Sequence, residues 1–278
     1  MYKRQEWDSA YRGQLAVMLD GGTYKMWFSG GPDYPGPWQT GYATSTDGVA
    51  WDIYPGNPVL PGGGSGAWDE MESDGPTVIL DGGVYKMWYF GCNADYSVCS
   101  IGYATSTNGI DWDKYSGNPV LEGDAGEWDE GGLLWPYVVK NGGDYYLWYD
   151  SNGQIGLATS PDGIAWTKYA GNPVLTTGWD GAGVIGQSVL LEGATYKMWF
   201  RSGTGESIGI GYAESPDGIN WSMPYSNPVL RPGAPNMVID VNYAHDWVYA
   251  YAAPGATVVV TVADGHGVKA VVTGQSDW

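Results

Sequence analysis

Two periods of hydrophobic patterning run through this chain, one nested inside the other. The short one is strand-like. Brief β-branched and aromatic runs, such as Thr77-Val-Ile-Leu80 and Tyr85-Lys-Met-Trp-Tyr89, are separated by Asp-Gly-Gly, Asn-Gly-Gly or Glu-Gly turns. Turns of that kind between two β-rich runs predict hairpins. The long period is a phrase repeated four times. Its Asn-Pro-Val-Leu endings start at Asn57, Asn118, Asn172 and Asn227, in steps of 61, 54 and 55 residues. Each copy reads as an apolar first strand, an aromatic second strand, a third strand of the Gly-Tyr-Ala-Thr-Ser type, and a fourth that starts near Trp51, Trp112, Trp166 or Trp221. Four antiparallel strands per repeat without helical periodicity predict an all-β chain built from propeller blades.

The blades are expected at about 7–60, 61–121, 122–175 and 176–230, so that the propeller occupies 1–230. The run 231–235 reads as a linker. Strands of another kind follow at Trp247–Tyr251, Thr257–Val262 and Val268–Thr273. They suit the start of a truncated β-sandwich module, or a segment that packs on the propeller. The first blade begins with almost no preamble and the chain stops within a pattern, so we expect a leader and further sequence outside it.

Composition narrows the partners. With 12 basic against 31 acidic residues the formal charge is −19. Such a chain lacks the basic face that nucleic acid requires, and it does not suit an anionic membrane surface. No apolar run approaches a membrane span. Cys92 and Cys99 flank the loop between the second and third strands of the second repeat. A disulfide clipping that loop would suit an oxidising compartment, and two free thiols are the alternative. The two histidines, His245 and His266, lie in the tail. A Ser-His-Asp mechanism and a histidine metal site are therefore excluded from the propeller. We expect no cofactor, since calcium on carboxylate oxygens has no motif here.

Tyr85-Lys-Met-Trp-Tyr89 and Ile101-Gly-Tyr-Ala-Thr-Ser106, with their equivalents, are followed by Asp-Gly-Ile-x-Trp and Asn-Pro-Val-Leu. This phrase resembles the blades of the five-bladed β-propeller superfamily of arabinanases, xylosidases, invertases and levansucrases, including glycoside hydrolase families 43 and 32. The resemblance implies a glycoside hydrolase acting on oligosaccharide or polysaccharide, extracellular or at the cell surface, and monomeric. It also implies carboxylates at the start of innermost strands, one of them in a Glu-Gly-Pro slot. That slot reads Asp74-Gly75-Pro76 in the second blade, but the matching positions elsewhere are Gly13, Leu134 and Ile185. The alternative is a propeller that binds glycans or partners without catalysis.

A repeat supplies its own control, because what recurs in every blade is scaffold and what breaks the pattern is a candidate for function. Twelve of the 16 tryptophans recur and are expected to pack between blades; Trp38 and Trp135 do not recur and are candidate sugar platforms. Asp47, Asp162 and Asp217, with Asn108 in their slot, recur and are expected to cap a turn. Among residues that break the pattern, Asp74, Asp150 and Glu130 are the candidate catalytic carboxyls. Arg12, Glu72, Trp135, Gln187, Arg201 and Trp38 are the candidate substrate contacts. The residue ending the second strand is Ser29, Phe90, Asp150 and Arg201 in turn. An Asp150–Arg201 ion pair is the structural alternative for two of these.

Overall fold

In the computed structural model the described residues are 6–8, 10–32, 36–204, 208–223 and 227–230, with strand segments 238–242, 247–251, 257–264 and 267–275. Each repeat folds as an antiparallel sheet, because its β-branched and aromatic runs are cut to strand length by glycine turns in the left-handed region, as at Gly82 and Gly83. The first repeat supplies β1 (Tyr11–Asp20), β2 (Thr23–Gly31), β3 (Trp38–Ser45) and β4 (Asp52–Ile53). The second supplies β5 (Glu72–Asp81), β6 (Val84–Cys92), β7 (Cys99–Ser106) and β8 (Asp113–Lys114). The third supplies β9 (Leu134–Asn141), β10 (Asp144–Ser151), β11 (Gln154–Ser160) and β12 (Thr167–Lys168). In the fourth, β13 (Val184–Glu192), β14 (Thr195–Ser202) and β15 (Gly209–Ser215) are completed by a bridge between Glu214 and Ser222.

The inner strands pack in sequence, β1 on β5, β5 on β9 and β9 on β13, and all four line one cavity. Sheets set side by side about a shared axial cavity make a β-propeller. In the tail, β16 (Val238–Asn242) pairs with β17 (Trp247–Tyr251) and β18 (Thr257–Asp264) with β19 (Gly267–Gln275), each antiparallel. The expected linker at 231–235 lies outside the described residues.

The repeated motifs turn out to be fasteners. Each Asn-Pro-Val-Leu asparagine acts as a backbone mimic: Asn57 accepts from the Tyr42 amide at 2.8 Å and donates to the Tyr42 carbonyl at 3.0 Å. Asn118, Asn172 and Asn227 do the same on Tyr103, Leu157 and Tyr212. The turn aspartates behave as expected, with Asp47 Oδ1 accepting from the amides of Val49 and Ala50. Asn108, Asp162 and Asp217 repeat that arrangement.

The tryptophans divide into two groups. Trp27, Trp88 and Trp148 are fully buried, and each donates its indole N–H to a turn carbonyl of the following blade: Gly109, Gly163 and Gly218. Trp112, Trp166 and Trp221 meet those same rings edge-on from the following blade. The Trp-Asp tryptophans pack against the clusters that join successive blades, Trp68 between the first and second, Trp128 between the second and third and Trp179 between the third and fourth. Trp68 seats on Gly91 and Gly102 of its own sheet, and Trp128 and Trp179 press on Gly156 and Gly211 of theirs. Glycine is required under those rings, since no side chain fits beneath them.

At the hairpin end of the inner strands, polar side chains tie neighbouring blades. Tyr85 bonds Asp20 and Lys25 of the blade before it, Tyr145 bonds Asp81 and Lys86, and Asn141 donates to Tyr196 at 2.7 Å. Among the described residues, no buried side-chain polar atom at that end lacks a hydrogen-bond partner.

Candidate functional site

The opposite end of the inner strands is built by one backbone feature used four times. Each inner strand slips register there: between Gly13 and Leu15, Asp74 and Thr77, Leu134 and Tyr137, and Ile185 and Ser188. The slipped residue is left-handed in every case, with φ of 34° at Gln14, 59° at Gly75, 45° at Trp135 and 61° at Gly186. Bulges re-aim side chains and concentrate near active sites. Glycine adopts this conformation freely, whereas Gln14 and Trp135 adopt it at a cost of order 1–3 kcal/mol each. All four residues line the axial cavity, whose volume is about 460 Å³.

The second strand of one blade reaches the bulge of the next. Ser29 Oγ accepts from the Gly75 amide at 2.9 Å, Phe90 meets the Trp135 ring edge-on, and Asp150 accepts from the Gly186 amide. The slot that sequence alone identified as variable is therefore the contact between blade and bulge, and its chemistry is different at every junction.

Besides Asp8, which is paired with Arg12, three carboxyl groups are buried at this end among the described residues. Asp150 is 2 % exposed, and burial pushes its pKa up to about 7 against the Gly186 hydrogen bond. Glu72 is pushed to about 7 by burial alone. Cys92 Sγ lies 3.1 Å from Glu72 Oε2, but that sulfur is bonded to Cys99 and has no hydrogen to donate. Asp74 is held well above the carboxylate range by burial and by Glu72, with a Ser29 hydrogen bond opposing. A buried carboxyl keeps its proton because the apolar surroundings cannot solvate the anion.

Among the described residues, the buried side-chain polar atoms with no hydrogen-bond partner are Arg12 Nη2, Asp74 Oδ1, Trp135 Nε1, Asp150 Oδ2, Ser151 Oγ and Gln187 Oε1. Each lies on an inner strand beside its bulge or at the adjoining end of a second strand. Buried polar groups are normally satisfied, and exceptions call for an explanation. Here two N–H donors, three carbonyl or carboxyl acceptors and a hydroxyl come from all four blades and meet none of their needs internally. A ligand bearing several hydroxyl groups would satisfy such a set, because each hydroxyl both donates and accepts.

The other sequence candidates fall in different places. Gln187 is buried, donates from Nε2 to the Trp135 carbonyl at 2.8 Å and so spans two blades. Arg12 belongs to the mouth, but its Nε is taken by the buried Asp8 and its guanidinium lies over Phe28. Trp38 stands beside Glu72 in the short parallel pairing of β3 with β5, and its indole donates to the Pro32 carbonyl. Glu130 is not brought to the mouth. It is exposed and accepts from the Gly126 amide in a loop, as Glu70 does from Gly66, so it belongs to the repeat after all. Arg201 is exposed on β14, and no ion pair between Asp150 and Arg201 forms among the described residues. Sequence reasoning missed Gln14, Ser29 and Ser151 as parts of the site. The signal was available for Gln14, which aligns with Gly75 and Gly186 and so stands where two of the repeats require glycine.

Cys92 and Cys99, facing each other across β6 and β7, form a disulfide. No helix among the described residues is long and apolar enough to cross a membrane.

The solved structures that this fold resembles include glycoside hydrolases. A family 117 glycoside hydrolase from the marine bacterium Zobellia galactanivorans superposes with a TM-score of 0.67 at 18 % identity, over 81 % of this chain and 71 % of that one. BT0996, solved as an RGII complex, gives 0.69 at 18 % identity over 95 % and 87 %. A thermostable family 43 glycoside hydrolase gives 0.61 at 21 % identity over 78 % and 77 %. At those identities the likeness defines the fold. In sequence, the chain is 29 % identical over 219 residues to uncharacterized proteins from two strains of Mycobacterium tuberculosis, covering 73 % of this chain and 72 % of theirs. No family model matches it.

Proposed function

We propose that this protein is a secreted glycoside hydrolase that binds a neutral oligosaccharide or polysaccharide end at the propeller mouth and cleaves it by carboxyl general acid and base catalysis. The observation that carries the reading is the convergence of unpaired buried donors and acceptors from all four blades on one mouth. Asp74, which keeps its proton, gives it from Oδ1 to the glycosidic oxygen as the bond from the anomeric carbon to that oxygen breaks. Asp150, with a pKa near 7, takes a proton from the water that attacks the anomeric carbon. Two carboxyls whose pKa values differ are what this division of labour requires, and an inverting pair stands roughly 6.5–9.5 Å apart. Trp135, Gln187 and Arg12 hold substrate hydroxyls. The disulfide supports the extracellular assignment, since such bonds persist in oxidising compartments.

A second reading, a propeller that binds glycan without cleaving it, is favoured by one observation: the residues lining the axial cavity include no carboxyl group. Hydrolysis of arabino-, xylo- and manno-oligosaccharides by the wild type and Asp74→Asn separates the two. Turnover by the wild type that falls by about 10²-fold or more in Asp74→Asn supports the enzyme. Binding without turnover in both establishes the binder.

A further inference from the structure

We infer that Gly186 is a specificity-determining residue, whose missing side chain leaves a subsite for one neutral sugar ring with a hydroxyl donating to Gln187 Oε1. The inference rests on reading the mouth as a glycan site, and it comes from comparing the four bulges. Gln14, Gly75, Trp135 and Gly186 hold the same slot of their repeats, with φ of 34°, 59°, 45° and 61°. Left-handed backbone favours glycine. Gln14 and Trp135 show that this slot nonetheless accepts a long or bulky side chain. The backbone alone therefore does not dictate glycine at the other two.

The two glycines have different causes. A Cβ at Gly75 would stand 2.6 Å from the Phe90 ring of its own sheet, so packing forbids a side chain there. A Cβ at Gly186 would meet no atom within 4 Å beyond its chain neighbours. Neither backbone nor packing accounts for that glycine. What a side chain would take up is room in the axial cavity, which Gly186, Gln187 and Ser188 line together. Glycine inside a strand often marks close approach by a ligand or by another backbone, and no other backbone comes that near here.

The adjoining residue supplies an independent sign. Gln187 is 5 % exposed, and its Nε2 donates to the Trp135 carbonyl at 2.8 Å. That bond fixes the amide plane and leaves Oε1 as a buried acceptor without a partner. A buried acceptor left unmade is costly, and a hydroxyl of a ring seated over Gly186 would satisfy it. No charged side chain lines the cavity, so a charged ligand would lose its hydration there without finding a counter-charge. A neutral ring with apolar C–H faces and hydroxyl edges suits walls that mix Leu15, Val17 and Trp199 with Gln14 and Gln187.

Two measurements on the full chain test this, both with arabino-, xylo- and manno-oligosaccharides. In titration calorimetry, Gly186→Ala should weaken binding of whichever sugar the wild type takes, and Gly186→Gln should weaken it further, by about tenfold or more. The control is Gly142→Gln, in the hairpin turn between β9 and β10. Gly142 has φ of 63° and open space around its Cβ, so the substitution brings the same backbone strain far from the mouth. It should lower Tm as Gly186→Gln does and leave affinity unchanged. The second measurement uses Gly186→Cys, a single free thiol because Cys92 and Cys99 are bonded to each other. Methyl methanethiosulfonate should label it readily, and a saturating concentration of the bound sugar should slow labelling about tenfold or more. Unchanged affinity in Gly186→Gln, equal loss in Gly142→Gln, or labelling that the sugar does not slow overturns the inference while the glycan reading stands. Failure of Gly186→Ala to fold also overturns it, since the glycine would then be a demand of the backbone. If the wild type binds none of these sugars, the glycan reading falls and the subsite falls with it.

Discussion

Replacing Asp150 by asparagine should make the protein more stable at alkaline pH and not at acidic pH. The carboxyl is buried, Oδ2 has no partner, and the pKa moves from 3.8 to about 7 on folding. A raised folded-state value means that between those two values the native state binds the proton that the unfolded state has released. Stability therefore falls as pH rises through that window and levels off above it. At 1.36 kcal/mol per pK unit, the wild type carries a cost of about 1–2 kcal/mol at about pH 5 and about 4 kcal/mol at about pH 8. Asparagine removes the pH-dependent part. Its carbonyl can still accept from the Gly186 amide, but its NH₂ replaces an unpartnered oxygen and remains unpaired, at a cost of about 1–3 kcal/mol at every pH. The variant should thus be equal to or weaker than wild type near pH 5 and stronger by about 1–3 kcal/mol near pH 8. Urea unfolding at the two pH values, with the slope m checked to be unchanged, measures both. The quantity to trust is the difference between them, about 2–3 kcal/mol, because the unpaired amide cancels from it. A stability difference that does not vary with pH would refute the argument, and with it the claim that this mouth holds a carboxyl at the expense of the fold.

Other consequences can be checked in the same assay. Gly102→Ala places a Cβ 2.6 Å from the Tyr89 ring and 2.8 Å from the Trp68 ring, and should destabilise by about 1–3 kcal/mol through overpacking, read as a lower Tm. Trp88→Phe removes the 2.7 Å bond from its indole to the Gly163 carbonyl along with buried ring volume, and should cost about 2–4 kcal/mol in urea. Cys92→Ser opens the loop to Cys99 and should cost about 2–3 kcal/mol by the chain-entropy account, read as a lower urea midpoint. Trp135→Ala removes one unpaired donor and the ring against Phe90, and should weaken glycan binding in titration calorimetry by about tenfold or more while leaving the far-ultraviolet spectrum unchanged.

How much of this could be read from the sequence follows from what a repeat reveals. Strand order and the turn aspartates were legible because each rests on local pattern written four times. Glu130 looks like a break in the pattern because its partner in the repeat, Glu70, stands in the same slot but is masked by the charged residues around it. The inner bulges are hidden for a different reason. A register slip leaves no trace in hydrophobic alternation, and Trp135 looks like a strand residue until its φ of 45° is known. Ser29 is visible only as a break in a pattern. Its meaning lies in the amide of Gly75, 46 residues away along the chain.

The contrast between the two ends of the inner strands ties these separate facts together. Both ends carry acids and aromatic residues, and both join one blade to the next. At the hairpin end the acids are neutralised: Asp20 by Lys25 at 2.7 Å, and Asp81 by Lys86 and Lys140 at 2.8 and 2.6 Å. Asp81 accordingly sits far below the usual carboxylate range. At the mouth, Asp150 and Glu72 have no basic partner and titrate near neutrality. Lysines placed as they are at the other end would have relieved these groups, so their isolation is not a shortage of means. A fold that satisfies its polar groups with repeated ion pairs at one end and leaves them unpaired at the other carries instability in one place. That is where a binding or catalytic function would require it.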